Sequence, residues 1–246
     1  MCQNMDTQIP LIVDRSGTIL NLTFNNPSKK NALNSEMMGS MIAAIEESSN
    51  YEELRAIVIR GEGSIFCSGA DVNTWEPKQL QLLLKTISEC SIPTIAMVHG
   101  ACLGGGMGVI CACDFVLSEE NTKFGFPEVR IGMIPAVILP YVSRKIHLSK
   151  IRELFITGER FGNDMAHSLG ILHHNNDIKG LIHSIEQGAP EAQKNIKSLL
   201  NSNILSKAIS DRDTELAALI SRIKNGQECE EGINSFLEKR KPNWVN

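Results

Sequence analysis

The apolar positions of this chain keep two different rhythms. Leu11-Ile-Val13 and Thr18-Ile-Leu-Asn-Leu-Thr-Phe24 are short β-type runs with Ser16-Gly17 between them, which predicts a hairpin. Asn25 to Asn34 is a polar loop containing Pro27 and Lys29-Lys30. Met37, Met38, Met41, Ile42 and Ile45 then recur at helical spacing, so a helix with one apolar face follows. Residues 54–60 and 94–99 read as strands, with a helix opened by Pro77 over 77–90 between them. Residues 107–113 are apolar throughout and predict a buried helix, followed by short strands at Asp114-Phe-Val-Leu117 and Thr122-Lys-Phe124.

Strands alternating with helices predict an α/β fold around a parallel sheet. From about residue 136 onward the pattern is almost wholly helical, with Leu216, Leu219, Ile220 and Ile223, then Ile233, Phe236 and Leu237, at helical spacing. We divide the chain into an α/β core, residues 1–190, and a C-terminal helical region, residues 191–246. A tail of that kind packs against a partner subunit or back on its own core.

Composition narrows the class. The 246 residues suffice for one large α/β domain with an appended helical piece. A net charge of −4 argues against a general nucleic-acid-binding surface, although Lys239-Arg240-Lys241 is a local basic cluster. Seven cysteines at irregular spacing, most of them in apolar runs, point to free thiols in a reducing, cytoplasmic compartment. Cys111-Ala-Cys113 has no second pair to complete a metal site, and His173-His174 has no acidic or cysteine partner at metal spacing. The first ten residues are polar, without the basic and apolar regions of a signal peptide, and no apolar run approaches the roughly 20 residues that span a bilayer.

Two glycine-bearing turns stand out, Ser68-Gly69-Ala70-Asp71 and Gly104-Gly105-Gly106, each following an apolar run. Small residues after a strand let backbone N–H groups point into a cleft, and two such turns can aim two N–H groups at one oxygen. A phosphate cradle is the competing reading. It fails on spacing, because Met107-Gly108 follows the last glycine where a Walker motif needs Lys-Ser/Thr, and no G-x-G-x-x-G is present. On spacing alone, glycines that merely permit close helix–strand packing remain open. Phe126-Pro127-Glu128 could bring a carboxylate to the same place. Cys67 and Cys102 lie near the turns without any pattern of an activated nucleophile, and Trp75 is as well suited to packing as to lining a pocket. His99, at a strand end, suits a supporting role better than a catalytic one.

With these stretches in order, the chain resembles the enoyl-CoA hydratase/isomerase (crotonase) superfamily. The resemblance rests on Asn25-Asn-Pro27 with Asn31-Ala-Leu33, on Ile65-Phe-Cys-Ser-Gly-Ala-Asp-Val72 and on Pro93-Thr-Ile-Ala-Met-Val-His-Gly100. It continues through Leu103-Gly-Gly-Gly106, Ala112-Cys-Asp114, Phe124-Gly-Phe-Pro-Glu-Val-Arg-Ile-Gly132 and the segment from Glu231 to Pro242. It implies a ββα spiral core, a helical C-terminal oligomerisation region, and a homotrimer or hexamer. It also implies an acyl-CoA thioester substrate, so that coenzyme A enters as part of the substrate and no metal or redox cofactor is called for.

By the resemblance, the backbone N–H groups of Ala70 and Gly105 form an oxyanion hole for the thioester carbonyl, and Glu128 is the acid/base. Ser68, Ala70, Asp71, Val72 and Asn73 match the strip along which coenzyme A lies. Lys29 or Lys30 is a candidate phosphate contact, and Phe236 and Lys239 match C-terminal residues of the coenzyme A site. Two departures bear on chemistry. Gly108 stands where two-glutamate hydratases carry their first glutamate, and only Glu76-Pro77 separates Trp75 from the next helix, where the family has a longer acyl cover. The run Gly132-Met-Ile-Pro-Ala-Val-Ile-Leu-Pro-Tyr-Val-Ser-Arg144 resembles a bacterial branch that includes methylglutaconyl-CoA hydratases of branched-chain amino acid breakdown. Hydration of a 2-enoyl-CoA, with a branched or acidic acyl group as the narrower expectation, is therefore the leading activity. A one-glutamate Δ3,Δ2-enoyl-CoA isomerase and a non-catalytic acyl-CoA binder are the alternatives.

Overall fold

The computed structural model of the chain describes residues 9–74, 76–173, 176–202 and 209–245. The hairpin forms from β1 (Leu11–Ser16) and β2 (Ile19–Phe24), paired antiparallel. On β2 the alternation of Leu20, Leu22 and Phe24 buries one face. Parallel pairing then adds β3 (Ala56–Gly61) to β2 and β4 (Thr94–Val98) to β3. Helices cross between these strands: α1 (Ser35–Ser48) and α2 (Pro77–Glu89). Asn34 caps α1 by accepting a 2.8 Å hydrogen bond from Met37 N. The predicted face of α1, from Met37 to Ile45, is buried.

A short strand β5 (Ala101–Leu103) leads directly into the wholly buried α3 (Gly105–Ala112). Next come β6 (Phe115–Ser118), which joins the first sheet beside β4, and β7 (Lys123–Gly125), which pairs with β5. The first sheet is ordered β1-β2-β3-β4-β6, parallel apart from the hairpin. A second sheet, β5-β7-β8, is completed by β8 (Arg160–Phe161). This second sheet was not anticipated. Its strands are two or three residues long, too short to show any periodicity, and β8 interrupts a stretch read as helical. Within that stretch α4 (Leu139–Val142), α5 (Leu148–Thr157) and α6 (Asn163–Ser168) form as expected.

The chain separates into two compact units, one up to Ile178 and one from Lys179. The second holds α7 (Ile178–Gln187) from its second residue onward, α8 (Pro190–Asn201), α9 (Ile209–Lys224) and α10 (Gln227–Glu238). Glu228 of α10 caps α8, its two carboxylate oxygens each accepting a 2.8 Å bond, from Glu191 N and Ala192 N. Among the described residues no helix is long and apolar enough to cross a membrane.

One side chain ties the first polar loop to the strand-end loop that carries the first glycine turn. Asn31 is fully buried with φ 51°. Its Nδ2 donates to Glu62 O at 2.8 Å and Ile65 O at 2.9 Å, while its Oδ1 accepts from Asn26 N at 2.9 Å. Truncation would leave buried carbonyls and an N–H unpaired, at a cost of about 1–3 kcal/mol. Asn31→Ala should therefore lower the unfolding free energy by about that amount and shift the urea midpoint down accordingly. Asn31→Asp should be at least as harmful, because it turns a carboxylate oxygen toward two carbonyls. Urea unfolding of both variants measures this.

Candidate active site

The site begins at a fault in a β-ladder. Beyond Gly61 the chain returns to pair with β5: Phe66 N donates to His99 O at 3.0 Å, Cys67 N to Ala101 O at 3.1 Å, and Leu103 N to Cys67 O at 3.0 Å. On its other side the same segment is held by the first polar loop. Ser68 N donates to Lys30 O at 3.0 Å, Leu33 N to Gly69 O at 2.8 Å, and Asp71 N to Leu33 O at 2.9 Å. In a regular strand the N–H groups of Ser68 and Ala70 would point the same way. Gly69, at φ 113°, breaks that alternation, so Gly69 O and Asp71 N take the bonds to Leu33 and the Ala70 N–H is turned to the opposite face.

That opposite face is where β5 ends and α3 begins. A Cβ placed on Gly105 would lie 3.2 Å from Ala70 N, so the two peptide groups are neighbours. Gly105 is the first residue of α3, whose leading N–H groups have no partner within the helix. Among the described residues neither the Ala70 N–H nor the Gly105 N–H donates to a protein acceptor. Two adjacent unpaired donors, one of them at the positive end of a helix, form a site for an oxygen that gains negative charge.

Glu128 stands over the second turn. It lies in a 3₁₀ turn, Pro127–Ile131, whose Pro127 sets the entry and whose Gly132 closes it in the left-handed region. A Cβ on Gly104 would lie 3.2 Å from Glu128 Oε1, and Gly104 has φ 50° and ψ −119°. Glycine at 104 thus allows both the turn and the approach of the carboxylate. Glu128 Oε2 is buried without a hydrogen-bond partner among the described residues. Burial raises the Glu128 carboxyl above the ordinary carboxylate range, an effect partly offset by its own backbone N–H. A carboxyl held in this way is suited to exchanging protons near neutral pH.

The two turns and Glu128 share a cavity of about 130 Å³ whose other walls are almost all apolar, including Leu80, Met133 and Ile138. Of the strip matched to coenzyme A, Ser68, Ala70 and Val72 line this cavity, and Asp71 and Asn73 do not. Asp71 Oδ1 instead accepts from Asn73 N at 3.1 Å, closing its own turn, and Asp71 Oδ2 lies 3.9 Å from Lys29 Nζ. The Asn73 amide, then burial working against it, then Thr74 and Lys29, leave the Asp71 carboxyl below its usual range. Lys29 is otherwise exposed, and Lys30 occupies the left-handed end of its turn.

Phe236 is 82% exposed on α10, and Lys239 closes that helix at φ 55°. Trp75 and His174 lie outside the described residues. His173 accepts from Val116 N at 3.1 Å and His99 Nε2 contacts Gly63 O at 3.0 Å, so both imidazoles bond the backbone of their own surroundings. Cys67 accepts from Gly69 N at 3.4 Å and buttresses the first turn, while burial pushes its thiol up to about 12. Such a thiol is no nucleophile at neutral pH.

Gly108 does not line the cavity and is closed in by packed side chains. A Cβ there would come 2.4 Å from Ile138 Cγ2 and 3.1 Å from Leu84 Cδ1. The space where a second carboxylate would start is filled by hydrocarbon. Sequence reasoning missed the role of Ile138, since nothing local links it to a glycine thirty residues earlier.

Paired backbone donors and a partly buried carboxylate thus share one largely apolar cavity, an arrangement suited to an enzyme site. The comparisons agree. The family profile described as Enoyl-CoA hydratase/isomerase matches residues 14–246, and the chain belongs to that family. It is 31% identical, over 91% of its own length and 80% of the relative's, to "Probable enoyl-CoA hydratase 2, mitochondrial" of Arabidopsis thaliana. Over 96% of this chain and 98% of the relative it is 29% identical to "Probable enoyl-CoA hydratase" of Bacillus subtilis. The crystal structure of an enoyl-CoA hydratase from Shewanella pealeana superimposes with a TM-score of 0.91 at 29% identity, covering 97% of each chain.

The raised Glu128 carboxyl has a consequence for stability. Because its folded-state pKa lies above the unfolded one, the charged form destabilises the fold once the pH exceeds the folded value. Below the unfolded value, near 4.5, the penalty is absent. Glu128→Gln should therefore melt higher than the parent at pH 7. That advantage should shrink as the pH falls through the folded pKa and be gone by about pH 4. Thermal melts across that range measure it.

Proposed function

We propose that the protein catalyses reversible hydration of a 2-enoyl-CoA thioester. The observation that carries this reading is the unpaired Ala70 and Gly105 N–H pair sharing one small apolar cavity with the half-buried Glu128. In this reading the thioester carbonyl oxygen accepts from both N–H groups. Water adds its oxygen to C3 as Glu128 takes a proton from it, and the pair of electrons of the double bond moves to make an enolate. Glu128 then returns the proton to C2, restoring the thioester. The two donors bind the enolate oxygen more strongly than the neutral carbonyl, and each is worth roughly 10²–10³ in rate. The reading includes coenzyme A held as part of the substrate along Ser68 and Val72, with Lys29 near its phosphates. It also includes assembly as a homotrimer or hexamer in the cytoplasm, with Phe236 and Lys239 contributing to the coenzyme A site.

The filled space beside Gly108 favours a second reading, Δ3,Δ2-enoyl-CoA isomerisation, because one carboxylate can move a proton from C2 to C4 without handling water. The conjugated thioester absorbance separates the two. Hydratase activity consumes it with crotonyl-CoA, and isomerase activity generates it with a 3-enoyl-CoA. Saturable binding of either ester with no absorbance change would leave only a non-catalytic acyl-CoA binder. Glu128→Gln should lose about 10²–10⁴ in turnover while acyl-CoA binding, followed by calorimetry, survives. Undiminished turnover in that variant would remove Glu128 from the mechanism.

A further inference from the structure

We propose that Ile138, seated on Gly108, is the specificity-determining residue that closes the acyl cavity and restricts the enzyme to short, uncharged 2-enoyl thioesters. The inference rests on the acyl-thioester reading of the site and adds the class of acyl group. Ile138 is 2% exposed, forms part of the cavity wall and immediately precedes α4. Its Cγ2 and Cβ would lie 2.4 and 3.1 Å from a Cβ on Gly108. The glycine therefore acts as a socket, and the isoleucine it admits forms part of the cavity wall. Leu84 of α2 lies 3.1 Å from the same point and closes the space from another side.

The size of the remaining space sets the length. The cavity is small, about 130 Å³, and Ile138 forms part of its wall. With C1 held at Ala70 and Gly105, that space suits a short acyl chain. The wall sets the charge. Among the described residues lining the cavity there is no Lys, Arg or His, and the sole ionisable side chain is Glu128. A carboxylate at the far end of the acyl group would be buried without a cation and beside another carboxylate, an arrangement that costs far more than an apolar end. A methylglutaconyl-like, acidic acyl group therefore does not match this wall.

The test is a chain-length panel of straight 2-enoyl-CoA esters from C4 to C10, with a carboxylated enoyl-CoA added, assayed on the parent, Ile138→Ala and Ile138→Val. A methylene that does not fit an apolar pocket costs about 10-fold or more in kcat/KM. The parent should therefore prefer C4 and lose at least about 10-fold by C8. Ile138→Ala should move the preference to longer chains, with kcat/KM for C8 rising about 10-fold and that for C4 falling. Ile138→Val, a smaller change that keeps the fold if alanine does not, should shift the preference in the same direction by a smaller step. A flat length profile in the parent overturns the proposal, as does an unshifted profile in the folded variants or equal use of the carboxylated ester. In each of those cases C4 turnover would still stand, and with it the thioester reading. Failure to bind or turn over any ester would instead overturn the thioester reading itself.

Discussion

The structure turns on a single missing rung. Residues 66–71 are held by backbone hydrogen bonds on both sides, to Lys30 and Leu33 on one and to β5 on the other. At Leu103 the second neighbour stops being a strand and becomes the first turn of α3. Had β5 continued, it would have offered carbonyls to the segment beside it, and there would be no free donor. Because it turns into a helix, the Ala70 N–H meets another N–H, that of Gly105, in place of a carbonyl. The proposed oxyanion site is thus the place where a parallel ladder is broken by Gly69 and Gly104, while the hydrogen bonds on either side hold the donors in place. Rigid donors need no reorganisation when charge develops, which is the source of their effect on rate.

Much of the surrounding structure serves that rung. Asn31 fastens the loop that holds Gly69 O, and Cys67 supports the Gly69 amide from behind. Gly104 keeps the space into which Glu128 Oε1 fits, so the donor pair and the carboxylate are set against one another by the same turn. Glu128 is in turn raised toward neutrality by the apolar wall that also suits a hydrocarbon acyl group. The proposed substrate preference and the proton affinity thus have a common physical origin, the apolar lining of one small cavity.

What was legible in the sequence follows from which forces are local. The buried face of α1 and the alternating face of β2 came through because burial imposes the helix and strand periods directly on Met37–Ile45 and Leu20–Phe24. Glu128 and the two glycine turns were singled out as candidates from their order along the chain, and they line one cavity. The second sheet was not, because three residues of β5 and two of β8 hold too few side chains for a period to show. The separation of Ala70 and Val72, on the cavity, from Asp71 and Asn73, off it, depends on a backbone reversal at Gly69 and on where Leu33 lies, neither of which has a one-dimensional signature.

The space beside Gly108 shows why the one-carboxylate site is not simply a two-carboxylate site with a piece removed. A residue larger than glycine at 108 must displace Ile138, which caps the short helix α4, and it would also crowd Leu84. A carboxylate introduced at 108 alone would therefore be driven into hydrocarbon, where its charge has no partner and its pKa would rise until it ceased to be ionised. Any second acid/base in this pocket requires a simultaneous change at 138, and that change would reopen the acyl cavity. The proton chemistry and the size of the acyl group are therefore coupled through one side-chain contact. A single glutamate and a short cavity are two consequences of Ile138 sitting on Gly108.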